Sequence, residues 1–230
     1  MNYKCLFTPC KIGKMEVKNR IVMSPMGLNA AHPDGRIDDD EIRYFEARAR
    51  GVTGLIIIGC QFLTEELAQG SLEGYLDKTH VIPQLTNLCE SVQRYGAKIS
   101  AQLSCGTGKN AFPNMFGEPP VSASAIPSMF DPNVICRALS VDDIKKIIKQ
   151  FFFSAKLLKD AGFDAIEVHA HAGYLVDQFM SAVWNKRDDE YGGTLEGRMR
   201  FPVEIVRSIR SAIGPARPNG AAGHCRRDGW

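Results

Sequence analysis

Short apolar runs alternate along the chain with longer stretches of helical periodicity, and three times a glycine stands at the junction. Arg50-Gly51 precedes Gly54-Leu-Ile-Ile-Ile58, Arg94-Tyr95-Gly96 precedes Lys98-Ile-Ser-Ala-Gln-Leu103, and Lys159-Asp-Ala-Gly162 precedes Asp164-Ala-Ile-Glu-Val-His169. A glycine just past a helix end supplies the left-handed backbone that closes the helix. Short, β-branched apolar runs are those of strands buried on both faces. A further strand over 20–24 precedes the first helix.

The helices are legible from their spacing. Ser140 is a good N-cap, with Asp142 and Asp143 in the first turn. Ile144, Ile147, Ile148, Phe151, Phe152, Ala155 and Leu158 then follow a helical stripe, as do Ile82, Leu85, Leu88, Cys89 and Val92 earlier. A last helix is expected over 196–213, with Met199, Val203, Val206 and Ile209 as its apolar residues. Strand and helix in alternation predict an α/β fold of right-handed βαβ units on a parallel sheet. An open doubly wound sheet and a (β/α) barrel both fit. No G-x-G-x-x-G follows the first strand, which disfavours a dinucleotide-binding start.

Two segments break the rhythm. Residues 106–137 form a long loop carrying Pro113, Pro119, Pro120, Pro127 and Pro132. Loops of that length are functional or disordered. Gly214 repeats the helix-then-glycine pattern, yet residues 215–230 are rich in Pro, Gly and Arg and hold no apolar run. The expectation is one unit over 1–214 followed by a tail over 215–230, which reads as a gene fragment or a shifted frame. A sheet of about four strands would leave the edge beside the His169 strand unpaired.

Composition narrows the function classes. The 230 residues are 44% hydrophobic with a formal charge of +2, an ordinary globular composition with no reason to expect nucleic acid as partner. No stretch is long and apolar enough for a membrane span, and the N-terminus lacks a signal-peptide core, so the expected location is the cytoplasm. The seven cysteines are odd in number, scattered and without a C-x-x-C pair. They read as reduced and packed, with no zinc or iron–sulfur site.

Candidate chemistry gathers where the strands end, as it does in (β/α) barrels. The ends read Pro25-Met26-Gly27, Gly59-Cys60-Gln61, Gln102-Leu103-Ser104-Cys105 and His169-Ala170-His171-Ala172-Gly173-Tyr174. Gly59 allows backbone to approach a flat ligand. Gln102 offers an amide donor and acceptor. His169, His171 and Tyr174 form a donor set for a carbonyl oxygen.

These residues carry a family resemblance. Leu6-Phe-Thr-Pro9 with Val17-Lys-Asn-Arg-Ile-Val-Met-Ser-Pro-Met26, Ala101-Gln-Leu-Ser-Cys-Gly-Thr-Gly-Lys-Asn110, Ala161-Gly-Phe-Asp-Ala-Ile-Glu-Val-His169, Gly173-Tyr-Leu-Val-Asp-Gln-Phe-Met-Ser181 and Asn185-Lys-Arg-Asp-Asp-Glu-Tyr-Gly-Gly193 occur in order. The chain resembles the old yellow enzyme superfamily, in its bacterial NADH:flavin oxidoreductase and enoate reductase branch. The resemblance implies a TIM (β/α)8-type barrel, of which about the first four β/α units are present. It implies non-covalent FMN, NADH or NADPH as electron donor, and a small-molecule substrate such as an α,β-unsaturated carbonyl. Pro25, Met26, Gly59 and Cys60 match backbone contacts to the flavin, and Gln102 matches its pyrimidine-edge partner. His169 matches a substrate-carbonyl donor and Tyr174 the proton donor. Arg187, Arg198 and Arg200 are expected to pair with Asp188, Glu190 or Glu196.

The sequence also departs from that pattern. Ala172 stands where a second His or Asn is usual, leaving His171 as the alternative donor. Gly27 stands where a Cys or Thr often tunes the flavin. The fifth strand with its arginine, and the phosphate site of strands seven and eight, are expected to be missing. The iron–sulfur cluster and FAD belong only to longer members. Two alternatives to an active reductase therefore stand: an inactive half-barrel, and a half-barrel that works only as an assembled homo-oligomer.

Overall fold

The computed structural model describes residues 3–68, 71–112 and 118–214. The tail over 215–230 and Pro113 lie outside the described residues. In chain order, a hairpin of β1 (Cys10–Ile12) and β2 (Met15–Val17) leads into β3 (Val22–Met23), α1 (Asp39–Arg50) and β4 (Leu55–Phe62). The short α2 (Glu65–Ala68), α3 (Ile82–Gln93) and β5 (Lys98–Ser104) follow. Next come β6 (Val121–Ser122), β7 (Arg137–Ala138), α4 (Val141–Ala161) and β8 (Ala165–Val168). The helices α5 (Leu175–Met180) and α6 (Leu195–Ile213) close the described chain.

The apolar runs pair as a parallel sheet in the order β3-β4-β5-β8, with Val22 opposite Leu55, Ile56 opposite Ile99 and Ala101 opposite Ile166. Each strand is added on the same side of its predecessor. The order never reverses, so there is no switch point of the doubly wound kind. Right-handed crossovers then put the helices on one face, which is barrel construction. Ile56, Ile58, Ile99 and Leu103 pack in one core with Phe45 of α1, Leu88 of α3, Phe151 of α4 and Phe201 of α6. The hairpin packs Met15 and Val17 against Leu55 and Ala165, the first residues of β4 and β8. It therefore covers the end of the sheet where the strands begin.

Several local expectations hold for the stated reasons. Ser140 caps α4 in a capping box with Asp143, and Gly162 ends that helix at φ 105. Gly96 is likewise left-handed at φ 73. Gly51 is not: its φ is −69, and its amide closes α1 by donating to Ala47 O at 3.3 Å. The apolar face of α6 also differs from the expected one. Gly197, Phe201, Pro202, Ile205, Ile209 and Ile213 are its buried residues, so Ile209 takes its expected place, whereas Val203 and Val206 are exposed. Val203 and Val206 were legible as apolar, but the neighbour α4 selects a different stripe of the same helix. The long loop is not structureless either. It holds β6 paired with β7 in parallel and a single 3-10 turn over Gly108–Asn110.

Two charged residues tie the layers together. Asp164 accepts from Lys98 Nζ at 2.9 Å, Gln93 Nε2 at 2.9 Å and the Ile99 amide at 3.1 Å, which joins β8 to α3 and β5. Arg187 donates to Ala123 O at 2.8 Å and Leu139 O at 2.6 Å and pairs with Asp189, not Asp188, at 2.5 Å. Arg200 pairs with Glu190 as expected, at 3.6 Å. Arg198 instead donates to the carbonyls of Met180 and Gly193, because Glu196 lies in the same exposed first turn of α6. Only 8% of the Arg187 side chain is exposed, so removing it strands two carbonyls and a carboxylate. We expect Arg187→Met to lower unfolding stability by about 3 kcal/mol, read as a fall in the urea midpoint at unchanged slope.

Candidate functional site

The strand ends converge on one cavity. At the end of β4 the register slips between Ile58 and Cys60, so Gly59 is the extra residue of a bulge against β5. The chain leaving β3 crosses directly over it. A Cβ on Gly59 would lie 2.6 Å from the Gly27 amide nitrogen and closer still to the Met26 carbonyl. Only glycine permits that approach, and it brings two stretches of backbone together as one surface.

On β5, Gln102 donates its amide to Glu167 Oε1 of β8 at 2.6 Å. That bond fixes the orientation of the amide and leaves the Gln102 carbonyl oxygen for the cavity. Beyond β8 the backbone turns through Ala172 at φ 60 and Gly173 at φ 71. A left-handed alanine costs about 1 kcal/mol, and Asn110 supports the turn by donating to Ala172 O at 3.2 Å. The turn stacks the His169 ring on Tyr174 at 4.3 Å between centroids and on His171 at 4.4 Å.

The site is held in its neutral forms. Burial, and after it the neighbouring His171, brings His169 down to about 4. Its Nδ1 is buried without a hydrogen-bond partner, the kind of atom a ligand satisfies. Burial also raises the Tyr174 phenol, with Cys60 adding to the effect. The Cys60 thiol is itself pushed up to about 12 by burial. It is therefore a thiol at neutral pH and no nucleophile.

Pro25, Cys60, Gln102, His169 and Tyr174, each picked out in the sequence, line a single cavity of about 550 Å³. Met26 does not line it: its side chain is exposed, and only its backbone meets Gly59. Gly59 lies behind that backbone. His171 is exposed and stacks on His169 without joining the cavity wall. The structure thus gives no second ring donor in the cavity where Ala172 replaces one. The wall also includes Glu73, Asn110, Phe112 and Phe130, which sequence reasoning did not single out. Phe112 and Phe130 stack at 4.1 Å although both are exposed. They sit in the long loop, where no periodicity marks them.

The match to known proteins agrees with this arrangement. Residues 5–220 match the model of the NADH:flavin oxidoreductase / NADH oxidase family. The chain belongs to that family. It is 40% identical to a cinnamate reductase of Clostridium sporogenes over 94% of its own length and 33% of that protein. It is 37% identical to an NADPH dehydrogenase of Clostridium acetobutylicum, covering 93% of this chain and 62% of the relative. The structure of old yellow enzyme from Pichia sp. superposes with a TM-score of 0.83 at 30% identity, over 91% of this chain and 57% of that one. The four parallel strands are accordingly part of a TIM barrel of the old yellow enzyme type, and the chain spans less than two thirds of these relatives.

The residues present fit the ring of an FMN. The backbone surface made by Gly59 under Met26 and Gly27 is flat because a side chain there has no room. Gln102 presents an acceptor, and His169 Nδ1 is a buried polar atom without a hydrogen-bond partner. Among the described residues no three metal-ligating side chains cluster, and no helix is long and apolar enough to cross a membrane.

One carboxyl beneath the site makes stability depend on pH. Burial raises Glu41 from 4.5 to about 7, with Glu73 and Asp38 adding to it against a hydrogen bond from the Asp38 amide. The folded state therefore holds this proton more tightly than the unfolded state. Its contribution is complete below 4.5 and is lost as pH rises through 7, a change of roughly 3 kcal/mol at most. Denaturation midpoints should fall between pH 4.5 and 7.5, and Glu41→Gln should flatten that slope.

Proposed function

We propose that the chain carries the ring-binding side of an FMN-dependent ene-reductase, which moves hydride from NADH or NADPH to an activated alkene such as an α,β-unsaturated carbonyl. One observation carries the reading: Cys60, Gln102, His169 and Tyr174 meet at the C-terminal ends of adjacent parallel strands around one cavity. When bound, FMN supplies the hydride chemistry, which none of the protein's own side chains can perform.

The protein's residues supply position and a proton. The backbones of Pro25, Met26, Gly59 and Cys60 would bear the ring, and the Gln102 carbonyl oxygen would accept from its N–H edge. Neutral His169 offers a ring N–H to the carbonyl oxygen of the substrate, where charge develops as the alkene is reduced. Tyr174 keeps its phenolic proton at neutral pH and delivers it to the α-carbon. Stacking on His169 holds the phenol in place. Similarity to the cinnamate reductase of Clostridium sporogenes supports an alkene conjugated to a carboxyl group as one substrate class. The reading places the reaction in the cytoplasm, where reduced nicotinamides are drawn upon.

A second reading has its own observation. Among the described residues nothing pairs with the outer edge of β8, and Leu195, Val203 and Val206 stand exposed on α6. An open strand edge and exposed apolar side chains on α6 each favour closure of the barrel by association with another copy.

Size-exclusion chromatography with a flavin spectrum separates these readings. A yellow monomer supports the first, a yellow oligomer the second, and a colourless protein contradicts both. Tyr174→Phe is expected to retain flavin and its reduction by NAD(P)H but to slow alkene reduction by about 10²-fold or more. Equal rates for the two proteins would remove Tyr174 from the proposed role.

A further inference from the structure

Glu73 is a buried carboxyl in the wall of the cavity that the function described above does not use. It is 7% exposed. Its Oε1 accepts from the Asn29 amide at 2.9 Å, and its own amide donates to Ser71 Oγ at 3.2 Å. The carboxyl fills the space that a side chain on Gly27 would take: a Cβ there would lie 2.9 Å from Glu73 Cδ and closer still to Oε1. The acid is thus clamped against the Pro25–Met26–Gly27 backbone, the same surface that closes over Gly59.

No described cation pairs with it. The influences on its ionisation are burial, which raises it, and the Asn29 hydrogen bond, which opposes that. The titratable groups around it are Glu41 of α1 and Cys60 of β4, with His169 and Tyr174 across the cavity. None of them is a cation at neutral pH: His169 is held near 4 and Cys60 near 12. A buried carboxyl without a counter-ion is costly when ionised, and any charge brought into this cavity meets it at short range in a low-dielectric wall.

We propose that Glu73 is the group through which this cavity discriminates the charge of a bound flavin ring, accepting the neutral oxidised ring and opposing the anionic reduced ring once its own carboxyl is ionised. The inference rests on the flavin reading. It also gives Gly27 a purpose: a side chain there would displace the carboxyl from the backbone surface.

The test uses lumiflavin, the ring without its phosphate chain, so that only ring contacts are measured. Dissociation constants for oxidised and, under anaerobic dithionite, reduced lumiflavin are measured at pH 5.5 and 8.5 for the 230-residue chain and its Glu73→Gln variant. At pH 8.5 the reduced-to-oxidised ratio of constants should be about tenfold higher in the wild type than in the variant. At pH 5.5 the difference should be smaller, because burial favours the protonated form of the Glu73 carboxyl. The difference should persist in a Glu41→Gln background, which removes the neighbouring carboxyl that burial raises to about 7. Circular dichroism confirms folding, and Glu73→Ala replaces Glu73→Gln if the amide disturbs Asn29. Linkage supplies a readout in the wild type alone: the Glu73 carboxyl carbon, followed by NMR, must titrate at higher pH with reduced than with oxidised lumiflavin bound. Equal ratios in wild type and variant, or equal titrations in the two redox states, would overturn the role of Glu73 while leaving the flavin site standing. Failure of the wild type to bind lumiflavin in either form would overturn the flavin reading and this inference together.

Discussion

The cavity wall depends on one buried amide. Gln178 of α5 is fully buried and satisfies four partners at once. Its Nε2 donates to Gly173 O at 2.6 Å and Thr107 O at 3.2 Å, and its Oε1 accepts from the Lys109 amide at 3.2 Å and Ser122 Oγ at 2.9 Å. Every hydrogen-bonding capacity of the amide is therefore used. Through it the turn that presents Tyr174 is locked to the loop that contributes Thr107 and Asn110 to the cavity. The packing around it is close enough that a Cβ on Gly108 would collide with the amide. The described residues of that loop are held where their buried polar groups find partners.

The same economy runs through the site. His169, Tyr174 and Cys60 are all neutral near pH 7, and burial moves each further from its charged form. Neutral donors suit a reaction in which charge develops on a substrate oxygen and is then quenched by a proton. Glu73 is the exception, a carboxyl retained in that wall without a cation. The bare backbone at Gly59 and Gly27 lets the Met26 carbonyl and the Glu73 carboxyl pack close against it, while the stacked rings of His169 and Tyr174 supply hydrogen-bond donors.

Much of the fold was legible because it is repetitive. Strands buried on both faces announce themselves as apolar runs, and Ser140 and Gly162 bound α4 by local chemistry alone. What stayed hidden depended on neighbours distant in sequence. Which stripe of α6 is buried was decided by α4, so Val203 and Val206 face outward. The hairpin of β1 and β2 is too short to show a period. In the site, the residues at strand ends could be picked out because position and residue type coincide there. Glu73 could not, because it reaches the cavity from a loop and is defined by the absence of a side chain at Gly27. His171 shows the converse: its type suited the chemistry, but its ring is exposed and does not line the cavity.

The central claim is that these strand ends form the seat of a flavin ring. Its most direct test is an NMR titration of the isotopically labelled chain with FMN, following backbone amides, the Gln102 side-chain amide and the imidazole of His169. The account predicts shifts concentrated at Gly27, Gly59, Cys60, Gln102 and His169. Shifts confined to other parts of the molecule, or none at saturating FMN, would contradict it.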